Sequence, residues 1–308
     1  MSDQAEGLRR RIEAQRGRAP GPGPAGGPPE PPPPSPCRSL LLTSGKGGVG
    51  TSNLALNLAI ALGERGRRVV LVDADLGLAN IDLLCGLSPG RDLGDVLAGD
   101  CSLDEATVEG PRGIRVVPGA HATRTLGELL AEAPGRLLVE LARLAGDADF
   151  LVVDAGSGLG PAILALAAAS DEVLVVATPE PTAMLDAHAT IARLRRLPSA
   201  PTIRAVVNQA ASAREGAATL ASLVGTARQF LGAGVDGLGS VRADPSVPLA
   251  VRARRPFATT YPGGPAARDV RRLALALMAR AAPAAPGRKP GFLAGLVARL
   301  ALARAAAL

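Results

Sequence analysis

Aromatic residues are nearly absent from this sequence: 2% of 308 positions, with no Trp, one Tyr and four Phe. A core without rings has to be filled by Leu, Val, Ile and Ala. No aromatic–basic cluster supports direct nucleic-acid binding. Cysteine is equally scarce. Cys37, Cys85 and Cys101 show no Cys-x-x-Cys spacing and one is left over from any pairing. Neither a disulfide framework nor a zinc site is expected, and a reducing, cytoplasmic setting fits. No run of about twenty apolar residues could span a membrane. The polar, charged N-terminus lacks the apolar segment of a secretory leader.

What the sequence has is small aliphatic residues, 47% hydrophobic in all, and a formal charge of +6 carried mostly by scattered Arg. Residues 1–16 form a charged segment with Leu8 and Ile12 four apart, the narrow stripe of a short helix. Such a helix is not stable alone in water, so it is either a frayed tail or a segment that folds on a partner. Residues 17–37 are mostly Pro and Gly, an extended spacer. Residues 282–290 repeat that linker composition, and residues 291–308 return to a helical pattern with Phe292, Leu293, Leu296, Val297 and Leu300 on one arc.

Between these flanks, short apolar runs alternate with helical segments. Strands are expected at Leu40-Leu41-Leu42, 69–72, 114–117, 150–154, 173–177 and 203–207, with a short edge strand at 239–241. Helices are expected over 54–65, 126–144, 182–197, 219–231 and 267–280. Continuous Leu and β-branched runs read as strands buried on both faces, so the fold class is α/β, a doubly wound, mainly parallel sheet flanked by helices. In such sheets ligands bind beyond the carboxyl ends of the strands.

The chemistry gathers at those ends. After the first apolar run comes Thr43-Ser44-Gly45-Lys46-Gly47-Gly48-Val49-Gly50-Thr51-Ser52-Asn53. Glycines after a strand let backbone N–H groups close on a ligand, and the following helix N-terminus adds partial positive charge, which makes a phosphate cradle. The spacing is that of a P-loop, Gly-x-x-x-x-Gly-Lys-[Ser/Thr], except that Thr51 stands where the lysine belongs. Gly45, Lys46, Gly47, Gly48, Val49, Gly50, Thr51 and Ser52 are the expected nucleotide-binding residues. The Ser52 hydroxyl occupies the Mg²⁺ position of a P-loop. Asp154 closes a strand as a Walker B acid would, and Asp73 and Asp75 close another. Ser52, Asp73 and Asp154 are the expected metal residues, and Asp75 the residue that orients the attacking water.

Lys46 within Lys-Gly-Gly-Val-Gly resembles the deviant P-loop of the MinD/ParA family. Residues 38–281 are similar to that family through Asp73-Ala74-Asp75-Leu76-Gly77-Leu78-Ala79-Asn80-Ile81-Asp82, Asp154-Ala155-Gly156-Ser157-Gly158, and Thr178-Pro179-Glu180-Pro181-Thr182 with Asp186. Val206-Val207-Asn208-Gln209 resembles its adenine-reading segment, and Asp244 with Arg255-Pro256-Phe257 its closing segment. The initial Asp3-Gln4-Ala5-Glu6-Gly7-Leu8-Arg9 is similar to the helix of the flagellar branch, called FlhG, FleN or YlxH, that engages an FlhF-type GTPase. The resemblance implies ATP with Mg²⁺, a homodimer in which Lys46 reaches the partner's phosphates, and catalytic roles for Lys46 and Asp75. It implies that Asn208 binds the nucleotide, that Asp3, Gln4, Leu8 and Arg9 meet the GTPase, and that residues 291–308 attach to the inner face of the cell membrane. A tail helix docking on its own domain is the other reading of that last segment. A positioning ATPase for division or chromosome cargo, or a nucleotide-binding adaptor without turnover, are the alternatives for the whole chain. Thr51 removes a positive charge that, at about 4 Å and an effective dielectric of about 20, contributes about 4 kcal/mol. Either Lys46 supplies the missing charge and the ATPase is slow, or the protein is a switch without turnover.

Overall fold

The computed structural model describes residues 37–75, 79–120, 140–141, 143–197, 200–231 and 234–280. The expected segments at 1–16, 282–290 and 291–308, with Asp3, Gln4, Leu8, Arg9, Phe292, Leu293, Leu296, Val297 and Leu300, lie outside the described residues, as does the expected spacer 17–37 apart from Cys37.

Strands β1 (Arg38–Ser44), β2 (Val69–Asp73), β3 (Val108–Glu109), β4 (Arg115–Val117), β5 (Phe150–Ser157), β6 (Glu172–Ala177), β7 (Thr202–Ala210) and β8 (Val235–Arg242) form one sheet in the order β3-β4-β2-β5-β1-β6-β7-β8. All pairs are parallel except β3 with β4. Alternate residues of each central strand point to opposite faces, and both faces are apolar. Leu41, Val70, Val72, Leu151, Val153, Val173 and Val175 join one core cluster. Their neighbours Leu40, Leu42, Val69, Leu71, Val152, Leu174 and Val176 join the other.

Helices cover both faces. One layer consists of α1 (Thr51–Gly63), α2 (Ile81–Cys85), α8 (Ser246–Arg252), α9 (Phe257–Thr260) and α10 (Pro265–Ala279), which pack about the second cluster. The other has α3 (Leu93–Ala98), α4 (Leu103–Ala106), α5 (Pro161–Ala169), α6 (Pro181–Arg195) and α7 (Ala213–Leu231), about the first. The expected doubly wound α/β class is therefore what the chain adopts.

Differences lie in the ends of elements. β8 is an edge strand but runs eight residues rather than three, because Gly237 and Gly239 interrupt its apolar signal while its pairing with β7 continues on both sides of a register shift at Leu238. β5 continues past Asp154 to Ser157, and α7 starts at Ala213, six residues before the apolar periodicity begins. Of the helix expected over 126–144, residues 140, 141, 143 and 144 are helical and the earlier part lies outside the described residues. Helices α2, α3, α4, α5, α8 and α9 had not been expected; five of these six are seven residues or shorter, too brief to show a helical period.

At one end of the sheet the strand starts are tied by charge. Glu172 on β6 receives the guanidinium of Arg38 from β1, Nε to Oε1 at 2.6 Å, and that of Arg204 from β7 through Oε2. Arg204 also meets Asp236 on β8 at 3.2 Å. Glycine loop and acidic strand ends occupy the opposite end.

Candidate functional site

The glycine loop joins β1 to α1. Gly48 and Gly50 have φ of 83° and 87°, which turns successive backbone amides toward one side. Close packing leaves no room for a side chain at two positions. A Cβ on Gly45 would lie 2.4 Å from the Asp186 carbonyl oxygen, and one on Gly50 would lie 2.6 Å from Asn208 Nδ2. The loop is thus pressed between α6 and the end of β7. Asn208 Nδ2 donates to the Val49 carbonyl at 2.8 Å, and Gln209 Nε2 to the Gly48 carbonyl at 3.3 Å. These side-chain bonds satisfy loop carbonyls and leave the loop's amides to point elsewhere.

A cavity of about 590 Å³ opens over this loop, lined by Ser44, Gly47, Gly48, Gly50, Thr51 and Ser52 on one side. Asp75, Gly156, Ser157, Leu83, Val251 and Arg254 stand across from them. That is the volume of a small-molecule site. Asn208, Val49, Gly45 and Lys46 are not in its lining: Asn208 is spent on holding the loop, and Val49 is buried in the core beneath it.

Three aspartates mark the strand ends. Asp73 and Asp154 are register partners on adjacent strands β2 and β5, both fully buried. Burial pushes Asp73 up to about 6, against the backbone amides of Ile81, Asn80 and Asp75 that pull it down. Its Oδ2 accepts from Asn80 and Ile81 at 2.8 and 2.9 Å, and its Oδ1 from Asp75 at 3.1 Å. In this conformation Asp73 therefore shapes the loop after β2. Asp154 is pushed up to about 7 by burial and then by the neighbouring Asp73 charge, while the Ser52 hydroxyl and the Gly156 amide hold it down. Its Oδ2 is buried and makes no hydrogen bond of normal geometry. Asp75 lies against Gly156, where a Cβ would come within 2.3 Å of its Oδ2; glycine, at φ 60°, is what lets the carboxylate approach.

A divalent cation fits this arrangement. A buried carboxylate oxygen lacking a partner, beside a serine hydroxyl, is a donor set for Mg²⁺. No group of three or more His, Cys, Asp or Glu converges as a metal cage among the described residues. Mg²⁺ shared between a few protein oxygens, phosphates and water needs no such cage.

The two residues at issue in the loop take different places. Thr51 opens α1 with its hydroxyl turned back onto Ser44 Oγ at 3.1 Å. Lys46 leaves the loop outward, Nζ lying 2.6 Å from Glu180 Oε2 and 3.1 Å from Thr182 Oγ1.

Residues 40–257 match the family described as the CobQ/CobB/MinD/ParA nucleotide binding domain. The chain belongs to that family. Within it, the chain is 39% identical over 223 residues to the antiactivator FleN of Pseudomonas aeruginosa, covering 72% of this chain and 80% of FleN. It is 34% identical over 189 residues to the flagellum site-determining protein YlxH of Helicobacter pylori, covering 61% of this chain and 64% of YlxH. The structure resembles the septum site-determining protein MinD of Pyrococcus horikoshii OT3 complexed with Mg-ADP, with TM-score 0.65 and 26% identity, covering 77% of this chain and 94% of that one. The glycine loop, the Asp73–Asp82 run and the Asp154–Gly158 run, read as MinD/ParA signatures, meet here around one cavity. Sequence reasoning missed Ser44, Leu83, Val251 and Arg254 in its lining. The first three carry no chemical signal, and Arg254 is one of three arginines in a row of four residues, with nothing in the sequence to single it out.

Proposed function

We propose that this chain is an ATP-binding switch that dimerises with ATP, associates with the membrane and regulates flagellar number or placement through an FlhF-type GTPase. The observation that carries the nucleotide reading is the glycine cradle and Ser52 lining one cavity, with the unbonded Asp154 oxygen buried beneath it next to Ser52. The flagellar reading rests on the similarity to FleN and YlxH.

In this reading the amides of residues 47–52 bind the phosphates, Ser52 and Asp154 hold Mg²⁺, and Asp73 fixes the loop that carries Asp75. Asp75, kept against Gly156, orients the attacking water. The bound metal neutralises charge that develops on the phosphates. Lys46, half exposed beside Glu180, is free to exchange that partner for the phosphates of a second protomer, since an exposed ion pair contributes under about 1 kcal/mol. The segment 291–308 attaches to the membrane, and two copies in a dimer gain avidity over one.

Size-exclusion chromatography with light scattering, and sedimentation with anionic vesicles, test this together. The full-length protein is expected to be dimeric and vesicle-bound with ATP and Mg²⁺, and largely monomeric and free with ADP. Lys46→Ala should remain monomeric in both. Equal mass and equal vesicle binding with either nucleotide would sink the switch. A specific observation favours a second reading, a nucleotide-binding adaptor without turnover: Thr51 supplies no charge and bonds inward. Phosphate release by the purified dimer, with and without vesicles, separates the two.

A further inference from the structure

Among the described residues, one cation lines the cavity, and it is not in the glycine loop. Arg254 follows the C-terminus of α8, its N–H bonded to the Val251 carbonyl at 3.0 Å. Its backbone is left-handed, φ 52°. Only Gln209 and Arg112 share that property among the described non-glycine residues. An arginine there is strained where a glycine would not be. The turn is also fixed in place: the Arg254 carbonyl oxygen lies 2.8 Å from where a Cβ of Gly86 would stand, so the left-handed cap of α2 and this turn abut. This fixed turn puts Arg254 in the cavity lining together with the apolar Leu83, Leu84 and Val251. Its guanidinium makes no hydrogen bond or ion pair with any described residue.

The charge balance of the cavity gives this residue a use. Thr51 is neutral and turned inward, and Lys46 is held by Glu180 outside the lining. Asp75, Asp73 and Asp154 add negative charge at or beneath the surface. A polyphosphate entering this site meets backbone dipoles and one guanidinium of its own chain. We infer that Arg254 is a phosphate-binding residue for the nucleotide, supplying from the α8–α9 turn the positive charge that the loop itself lacks. The inference rests on the reading of the cavity as a nucleotide site. A planar guanidinium suits the role, since it can hold two phosphate oxygens at once. Backbone strain retained at a ligand cavity is the usual mark of such a function.

The test uses the full-length protein, fluorescent N-methylanthraniloyl ATP and ADP with Mg²⁺, and thermal unfolding without nucleotide. Arg254→Gly relieves the strain, so its unfolding midpoint should equal or exceed that of the wild type while both dissociation constants rise at least tenfold. Arg254→Met and Arg254→Lys carry the same strain and differ in charge; Lys should bind at least fivefold tighter than Met, by a margin that shrinks with added salt. Thr51→Lys in the Arg254→Gly background should recover most of the affinity. Equal binding by Met and Lys, or binding by Arg254→Gly within twofold of the wild type, overturns the role of Arg254 and leaves the nucleotide site standing. No binding by the wild type overturns both.

Discussion

At the scale of single residues, the site holds two carboxyls where a fold dislikes charge. Asp73 and Asp154 have pKa values of about 6 and about 7, above the usual carboxylate range. The folded chain therefore binds these protons more tightly than the unfolded chain. The stability from protonation is full below about pH 4, the unfolded value, and is lost as pH rises through about 6–7. Nucleotide-free protein should accordingly melt lower at pH 8 than at pH 5.5. Asp154→Asn should melt higher than the wild type at pH 8, by about 3 °C or more, with a flatter pH profile. It should also lose the stabilisation that Mg²⁺ with ATP gives the wild type. A variant that melts at or below the wild type at pH 8 would show that burial of Asp154 is not costly. The residues of the loop were legible because glycines after an apolar run have few other uses. The division of labour between Asp73 and Asp154 was not, since both end a strand in the same pattern. Only the amides of Asn80 and Ile81, brought round by the turn, tell them apart.

At the scale of elements, apolar runs showed where the central strands lie, and the two-sided core explains why: β1, β2, β5 and β6 are buried on both faces and have no polar stripe. The short helices were hidden for the opposite reason. Two of them nonetheless carried a readable signal, the capping boxes Asp92 with Asp95 before α3 and Ser102 with Glu105 before α4. Sequence could not reveal the Glu172 ion cluster, because its members come from four strands and meet only after the sheet forms. Its position suggests a test. Glu172→Gln leaves buried Arg38 without a counter-charge and Arg204 with only the half-exposed Asp236, and should cost about 3–5 kcal/mol in urea unfolding. Asp236→Asn, at a half-exposed partner of Arg204, should cost under about 1 kcal/mol. Similar costs for the two would mean that the cluster is well solvated.

At the scale of the whole molecule, the family match covers residues 40–257, and the proposed function assigns partner and membrane contacts to the segments that flank the domain. The segment 1–16, fused to an inert carrier, should stimulate GTP hydrolysis by an FlhF-type GTPase, and substitution of Leu8 and Arg9 by Ala should abolish the effect. A fusion with no stimulation would leave the flagellar reading resting on FleN and YlxH similarity alone.

The strand order has a consequence for how the molecule is made. β1 lies in the interior of the sheet, between β5 and β6, with Leu40 paired to Val152 on one side and Glu172 on the other. A ribosome delivers β1 more than a hundred residues before either neighbour, a delay of about 5–20 s at ordinary synthesis rates. Throughout that interval Leu40-Leu41-Leu42, with two unpaired backbone edges, has no native strand to rest on. The nascent chain is therefore at its most sticky before its fifth strand emerges, and a holding chaperone that binds short aliphatic stretches would find its target there.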